Sequence, residues 1–334
     1  MREAGIHLFL GFRGAGLEEE LRYLIREYRP GGIVLFKRNI EDRAQLKTLV
    51  SSAQALAMEE LDRPVFFAID QEGGSVQRLS PHFTFIPSAR SMAEGGREAV
   101  AQWAAVCAAD LREIGIQINF APVLDIVGDG KEHFMWPRSF GSIPTTVSDL
   151  GTIWIETLQA NGVSATAKHF PGLGRAQLDP HHFAPVIADD SEDDFQLHLI
   201  PFRSAIGAGV NCMMSSHAVY PAVDGSRPAT LSHEIGYRWL RERLGFGGVL
   251  FSDDLDMAAI CENYSPEEIA FLGLSCSTDF FLLCQESASI EPLYKALSDQ
   301  LDRNRSLQSF HSGTIQRLEK LRRFHLAGRG RTNQ

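Results

Sequence analysis

The chain has 334 residues, a formal net charge of −10, 44% hydrophobic residues and 22% charged residues. That composition belongs to a folded protein able to bury a large core, not to a disordered chain. The acidity speaks against a nucleic-acid binder held by phosphate contacts, because such proteins concentrate Lys and Arg. Five cysteines (Cys107, Cys212, Cys261, Cys276, Cys284) include no Cys-x-x-Cys spacing, so neither a disulfide framework nor a zinc site is expected, and reduced, mostly buried thiols are the simpler reading.

The chain opens on a short apolar run, Ile6 to Phe12, with His7 inside it and neither a basic leader nor a small-residue cleavage site, which is not the pattern of a signal peptide. No stretch approaches the roughly 20 apolar residues of a membrane helix. The expected compartment is the cytoplasm, with no membrane and no nucleic-acid partner. Further strand candidates follow at Gly32 to Arg38, Val65 to Gln71, Gln117 to Asp125, Ala165 to Phe170, Val210 to His217, Val249 to Asp254 and Thr278 to Cys284. Most are nearly continuously apolar, as parallel strands buried on both faces should be.

Helical patterns lie between them at Leu17 to Tyr28, Asp42 to Glu59, Glu98 to Ile114, Ser148 to Ala160, Phe195 to Ala208 and His233 to Leu244. Ser265 with Glu268 three residues on, and Pro266 between them, reads as a capping box opening another helix. A basic amphipathic stretch, Thr314 to Leu326, is placed to close the fold from outside. Eight strand and helix alternations in one chain predict an α/β fold, a single (β/α)8 TIM-type barrel, over an open doubly wound sheet. No linker or low-complexity segment divides the chain, so residues 1–334 are expected to form one catalytic barrel domain with a disordered tail from about 328 to 334.

Polar residues interrupt these apolar runs at their C-terminal ends. Asp70, Gln71 and Glu72 end the third; Asp125 the fourth; Lys168 and His169 the fifth; Ser215, Ser216 and His217 the sixth; Ser252, Asp253 and Asp254 the seventh. In barrel enzymes that rim carries the active site. One carboxylate there is an ordinary solvated strand end, but several charges converging on one mouth imply mutual pairing or a polar ligand, since an unpaired buried charge is costly.

Five segments in order resemble one family. They are Ile69 to Gly74 (Ile-Asp-Gln-Glu-Gly-Gly) with Val76, Gln77 and Arg78; Asn119 to Asp125 with Arg138 to Gly141; Lys168 to Gly172 with Gly174, Asp179 and His181; Pro228 to Ser232; and Gly248 to Leu255. From about residue 5 to 285 the chain resembles bacterial β-N-acetylglucosaminidases of glycoside hydrolase family 3. The resemblance implies a retaining exo-glycosidase that needs no cofactor or metal and hydrolyses terminal β-linked N-acetylglucosamine from a small carbohydrate or muropeptide in peptidoglycan recycling. A monomer is expected.

Retaining glycosidases need a nucleophile below the anomeric carbon and a proton donor beside the leaving oxygen. From the residues alone, Asp253, Asp254 and Asp256 are rivals for the nucleophile. Asp253 and Asp254 are strand neighbours expected on opposite faces, which leaves Asp254 as a supporting carboxylate. The resemblance assigns the nucleophile to Asp253, and the proton donor to His181 with Asp179 orienting it, a pairing that suits a His because a carboxylate fixes its tautomer and favours the imidazolium. It also assigns substrate contacts to Asp70, Arg78, Arg138, Lys168 and His169, where carboxylates accept from and cations donate to sugar hydroxyls. Gly73 and Gly74 are read as a turn with positive backbone angles rather than a phosphate cradle.

The chain departs from the family pattern at Ser75, where an Arg is usual, at Leu173 in place of a His, and at Pro180 in place of a Ser, with His182 as an added neighbour. Pro180 pushes Asp179 toward extended geometry. The rival readings are an N-acetylglucosaminide phosphorylase, since a His donor does not repel phosphate as a Glu would, a β-glucosidase, and a catalytically silent sugar-binding barrel. A metal-dependent barrel hydrolase is disfavoured because no His-x-His pair ends the first strand.

Overall fold

The computed structural model describes residues 4–176, 185–187, 191–285 and 287–329. Each of the eight apolar runs coincides with a strand: β1 (Leu8–Leu10), β2 (Gly32–Leu35), β3 (Phe66–Ile69), β4 (Ile118–Asn119), β5 (Ser164–Phe170, one residue longer than its run), β6 (Cys212–Ser215), β7 (Val249–Asp254) and β8 (Phe280–Leu283). Neighbours in sequence pair in parallel, and β1 also pairs with β8, with Leu8 opposite Phe281, so the sheet closes. The (β/α)8-type barrel expected from the alternation is the fold observed.

Alternation along each strand divides the apolar residues into two sets. Phe9, Val34, Ala68, Ile118, Phe120, Met214 and Phe251 fill the interior, while Leu8, Leu10, Ile33, Leu35, Phe67 and Ile69 join the shell of packing against the helices. The interior is built around aromatic rings: the Phe251 centroid lies 5.2 Å from Phe9, 5.1 Å from Phe120 and 4.9 Å from Phe280. Truncating one such ring to Ala costs about 3–5 kcal/mol.

The helices follow local chemistry. Asp42 caps Arg43–Leu61 by accepting from the Gln45 N–H at 2.8 Å, and the Ser265–Glu268 capping box is present, with Pro266 opening its helix. The pattern over Phe195 to Ala208 is two helices, Glu192–His198 and Ile200–Gly207, because Pro201 lacks the N–H that would continue the first. The pattern over Leu17 to Tyr28 is α-helical only over Glu19–Tyr23, then widens to a π turn over Leu24–Tyr28. Sequence reading misses the helix Ser287–Arg303, which holds Pro292 in its interior. Four of the five thiols are buried and Cys261 is exposed, all of them free.

The last helix, Gln308–Arg329, corrects one expectation. It packs on the N-terminal end of the barrel instead of closing it from outside: Leu318 and Leu321 are buried in the interior cluster beside Phe66 and Phe280. Asp279, just before β8, fixes it there, accepting from Thr314 Oγ1 at 2.7 Å and Arg317 Nη2 at 2.8 Å while Arg241 Nη2 binds its other oxygen at 2.8 Å. The helix runs through Arg329, and residues 330–334, most of the tail expected to be disordered, lie outside those described. With the bottom filled by rings and the last helix, the open end is the rim where the polar strand ends gather.

Candidate active site

The first part of the site grows from the turn after β3. Beyond Asp70 the chain forms a two-stranded ribbon, Gln71–Gly73 against Val76–Gln77. Gly73 and Gly74 turn it with φ of 102° and 59°, and a Cβ on Gly73 would collide with the Pro87 carbonyl, so the glycines serve the turn as read from the sequence. Gln71 Oε1 accepts from the Arg78 and Leu79 N–H groups at 3.0 and 3.2 Å and folds the ribbon back on itself. Arg78 thereby returns to Asp70, with Nη2 3.3 Å from Oδ2. Ser75, one of the departures, is exposed at the ribbon tip.

The end of β5 supplies the central cation. Lys168 Nζ lies 2.7 Å from Asp70 Oδ1 and 2.6 Å from Glu72 Oε1. Glu72 in turn accepts both forks of Arg138, Nε at 2.9 Å and Nη2 at 2.8 Å, the bidentate geometry a guanidinium is shaped for. Burial alone would raise the Asp70 carboxyl pKa, but Lys168 and Arg78 outweigh it and hold it well below the usual carboxylate range. Glu72 is likewise held down to about 2, burial being overcome by Arg138 and Lys168. Lys168 stays charged because Asp70 and Glu72 outweigh the desolvation that disfavours its ammonium. Two carboxylates occupy two of its three donor directions, which leaves one for a ligand.

His169, next on β5, is fixed by the fully buried Asp125: Nδ1 lies 2.7 Å from Oδ2, while Asp125 Oδ1 accepts from the Leu173 N–H at 2.6 Å. One carboxylate thus orients the His169 ring and pins the start of the segment after β5. Leu173, another departure, adds an apolar wall to the cavity.

The end of β7 carries the rival carboxylates. A register irregularity between β7 and β8, from Phe251 to Asp254, breaks strict alternation, and both Asp253 and Asp254 line the cavity. Both neighbours therefore border the cavity, and strand alternation does not by itself choose between them. Their environments differ instead. Burial would raise Asp253, but His169, His217, the Asp254 N–H and Lys168 lower it, so it is an ionised carboxylate. Asp254 is pushed up to about 7 by burial and by Asp256 and Asp253, and its Oδ1 accepts from the N–H groups of Asp256 and Cys284, both at 3.1 Å. A neighbouring pair pushed apart in this way has divided roles, one anionic and one held neutral near pH 6.

These groups share one cavity of about 390 Å³. Val34, Phe120, Met214 and Leu282 from the barrel interior line it, and Asp70, Arg78, Arg138, Lys168, His169 and Asp253 line it together with them. The five substrate-contact candidates and the nucleophile candidate are thus brought together. Asp179 and His181, the proton-donor pair, lie outside the described residues, as do Pro180 and His182. Among the described residues no cluster of three His, Cys, Asp or Glu could hold a metal ion. Glu72, Asp125 and His217 were legible as polar strand ends but were given no role; their partners lie 66, 44 and 37 residues away, beyond the reach of local patterning.

The profile of the family described as "Glycosyl hydrolase family 3 N terminal domain" matches residues 9–320. The chain is 34% identical to the β-hexosaminidase of Tolumonas auensis, covering 95% of this chain and 94% of that protein. It is 33% identical to β-hexosaminidase A of Pseudoalteromonas piscicida over 92% of this chain, and spans only 55% of that longer protein. The fold superposes with a TM-score of 0.92 and 34% identity on a family 3 β-N-acetylglucosaminidase from a Paenibacillus species, covering 97% of this chain and 62% of that one.

Proposed function

The chain belongs to glycosyl hydrolase family 3 and is a glycoside hydrolase, and from that premise we propose that it is a retaining exo-β-N-acetylglucosaminidase working through a covalent glycosyl-aspartate on Asp253. The observation that carries this reading is Asp253 itself, a buried yet ionised carboxylate lining the same cavity as His169 and Lys168, while its neighbour Asp254 is held neutral. A nucleophile must be anionic when the sugar arrives, and of the two only Asp253 meets that condition near pH 6.

In the proposed reaction Asp253 attacks the anomeric carbon as the bond to the leaving oxygen breaks, and that oxygen takes a proton from the imidazolium of His181, oriented by Asp179. Water then attacks the glycosyl-Asp253 ester, giving its proton to the now neutral His181. Asp70, Arg78, Arg138, Lys168 and His169 hold the hydroxyls and acetamido group of the sugar. Asp70 is paired with Arg78 and Lys168, Arg138 with Glu72 and His169 with Asp125, so each donor and acceptor is held at a fixed position before substrate binds and little reorganisation is needed in the transition state. The natural substrate is proposed to be a small peptidoglycan fragment with a terminal β-linked N-acetylglucosamine, cleaved in the cytoplasm by a monomer. No helix among the described residues is long and apolar enough to cross a membrane.

The test is hydrolysis of a chromogenic N-acetyl-β-glucosaminide by the wild-type chain and by Asp253→Asn and His181→Ala. Asp253→Asn should lose at least about 10³-fold in kcat. His181→Ala should lose more on substrates with poor leaving groups than on activated ones. Full activity in Asp253→Asn would remove the proposed nucleophile, and an unchanged rate in His181→Ala the proposed donor.

A further inference from the structure

We infer that Phe134, braced by His133, forms with Leu173 the apolar wall against which the leaving group packs, and so sets leaving-group selectivity. This deepens the hydrolase reading above and rests on it. The segment between Asp125 and Arg138 runs Ile-Val-Gly-Asp-Gly-Lys-Glu-His-Phe-Met-Trp-Pro. Its half-buried Phe134 lines the cavity alongside Arg138, His169 and Leu173.

The ring of Phe134 is held from behind. His133 stacks on it, centroids 4.9 Å apart with 20° between the planes. His133 is itself fixed at both nitrogens. Nδ1 accepts from the Met135 N–H at 3.2 Å, which places the ring proton on Nε2, and Nε2 donates to the Ala176 carbonyl at 2.9 Å. His133 covers one face and the Val123, Val127 and Met135 cluster packs against the ring as well, so what Phe134 offers to a ligand is the part of the ring that lines the cavity.

The same hydrogen bond says which part of the ligand that is. Ala176 belongs to the segment following β5, where Leu173 N–H is tied to Asp125 and Ala176 N–H donates to the Leu173 carbonyl at 2.9 Å. In a retaining mechanism the proton is delivered beside the leaving oxygen, so the leaving group lies on the side of the nucleophile from which the donor segment springs. Phe134 is bonded through His133 to that side of the cavity. The opposite face of a sugar leaving group presents C–H groups, which an aromatic ring matches as a large, rigid apolar surface.

The experiment compares kcat/KM for N-acetylglucosaminyl-β-1,4-N-acetylglucosamine, whose leaving sugar reaches the wall, with that for N-acetyl-β-glucosaminyl fluoride, whose leaving group is too small to touch it. In Phe134→Ala the disaccharide-to-fluoride ratio should fall about tenfold, the size of one aromatic contact. In Phe134→Leu, which keeps apolar volume without a ring face, it should fall part of the way, and thermal melts check that both variants fold. A ratio within about twofold of wild type in both variants overturns the inference and leaves the hydrolase reading standing. If the wild-type chain turns over neither substrate, the hydrolase reading falls and takes this inference with it.

Discussion

His217 Nε2 donates to the Asp254 carbonyl at 2.9 Å, so the backbone that follows Asp253 on β7 is held by a residue just beyond the end of β6. Its Nδ1 lies 2.9 Å from Thr230 Oγ1, which locks the ring in place. His217 is also among the groups that lower the Asp253 pKa.

His217→Ala therefore removes both a brace and a favourable partner of the Asp253 carboxylate. The Asp253 pKa should rise, and because the reaction needs Asp253 ionised, the acid limb of the pH profile of kcat/KM should move to higher pH. A fall in kcat of about tenfold, equivalent to 1.4 kcal/mol, should accompany it with less change in KM. An acid limb at the wild-type position would show that His217 does not act on Asp253.

Glu72→Gln strips the bidentate partner from Arg138 and one carboxylate from Lys168, leaving two nearly buried cations short of a counter-charge. Breaking a buried pair in this way costs about 3–5 kcal/mol. The Glu72 pKa is lowered from 4.5 to about 2 in the folded chain. Its stabilisation is therefore fully present above about pH 4.5 and lost as pH falls through 2. Denaturant melts should show wild type more stable than Glu72→Gln at pH 7, with the gap closing on acidification between about 5 and 2. A gap independent of pH over that window would contradict the ion-pair assignment.

Asp254→Asn tests the neutral carboxyl. A group whose folded pKa is raised, here from 3.8 to about 7, contributes stability that is present below 3.8 and is lost as pH rises toward 7. Wild type should lose stability relative to Asp254→Asn between pH 5 and 7, by at most about 1.4 kcal/mol per pH unit. The two should run in parallel above pH 8. Parallel curves from pH 5 to 7 would mean that Asp254 is ionised throughout that range.

Most of the architecture was legible in the sequence because buried parallel strands leave an unambiguous trace: eight short apolar runs separated by amphipathic stretches. The rim was legible for the complementary reason, since charges such as Asp70, Lys168 and Asp253 have no cause to sit at the end of a buried strand unless they meet something polar. What escaped depended on contacts between distant segments. Glu72 gains its meaning from Arg138 and Lys168, and Asp125 from His169. Alternation does not choose between Asp253 and Asp254 because the irregular register against β8 is a property of two strands. The last helix was misplaced because its amphipathic pattern says that one face is buried without saying against what; Asp279, just before β8, supplies the answer.

The identity of the nucleophile is best tested by trapping. Incubating the chain with a 2-deoxy-2-fluoro or 5-fluoro glycosyl donor slows breakdown of the glycosyl-enzyme, and peptide mapping then locates the sugar. Esterification of Asp253, absent in Asp253→Asn, is the expected result. A sugar attached to Asp254 or Asp256, or active enzyme that turns the donor over without forming any covalent adduct, would contradict it.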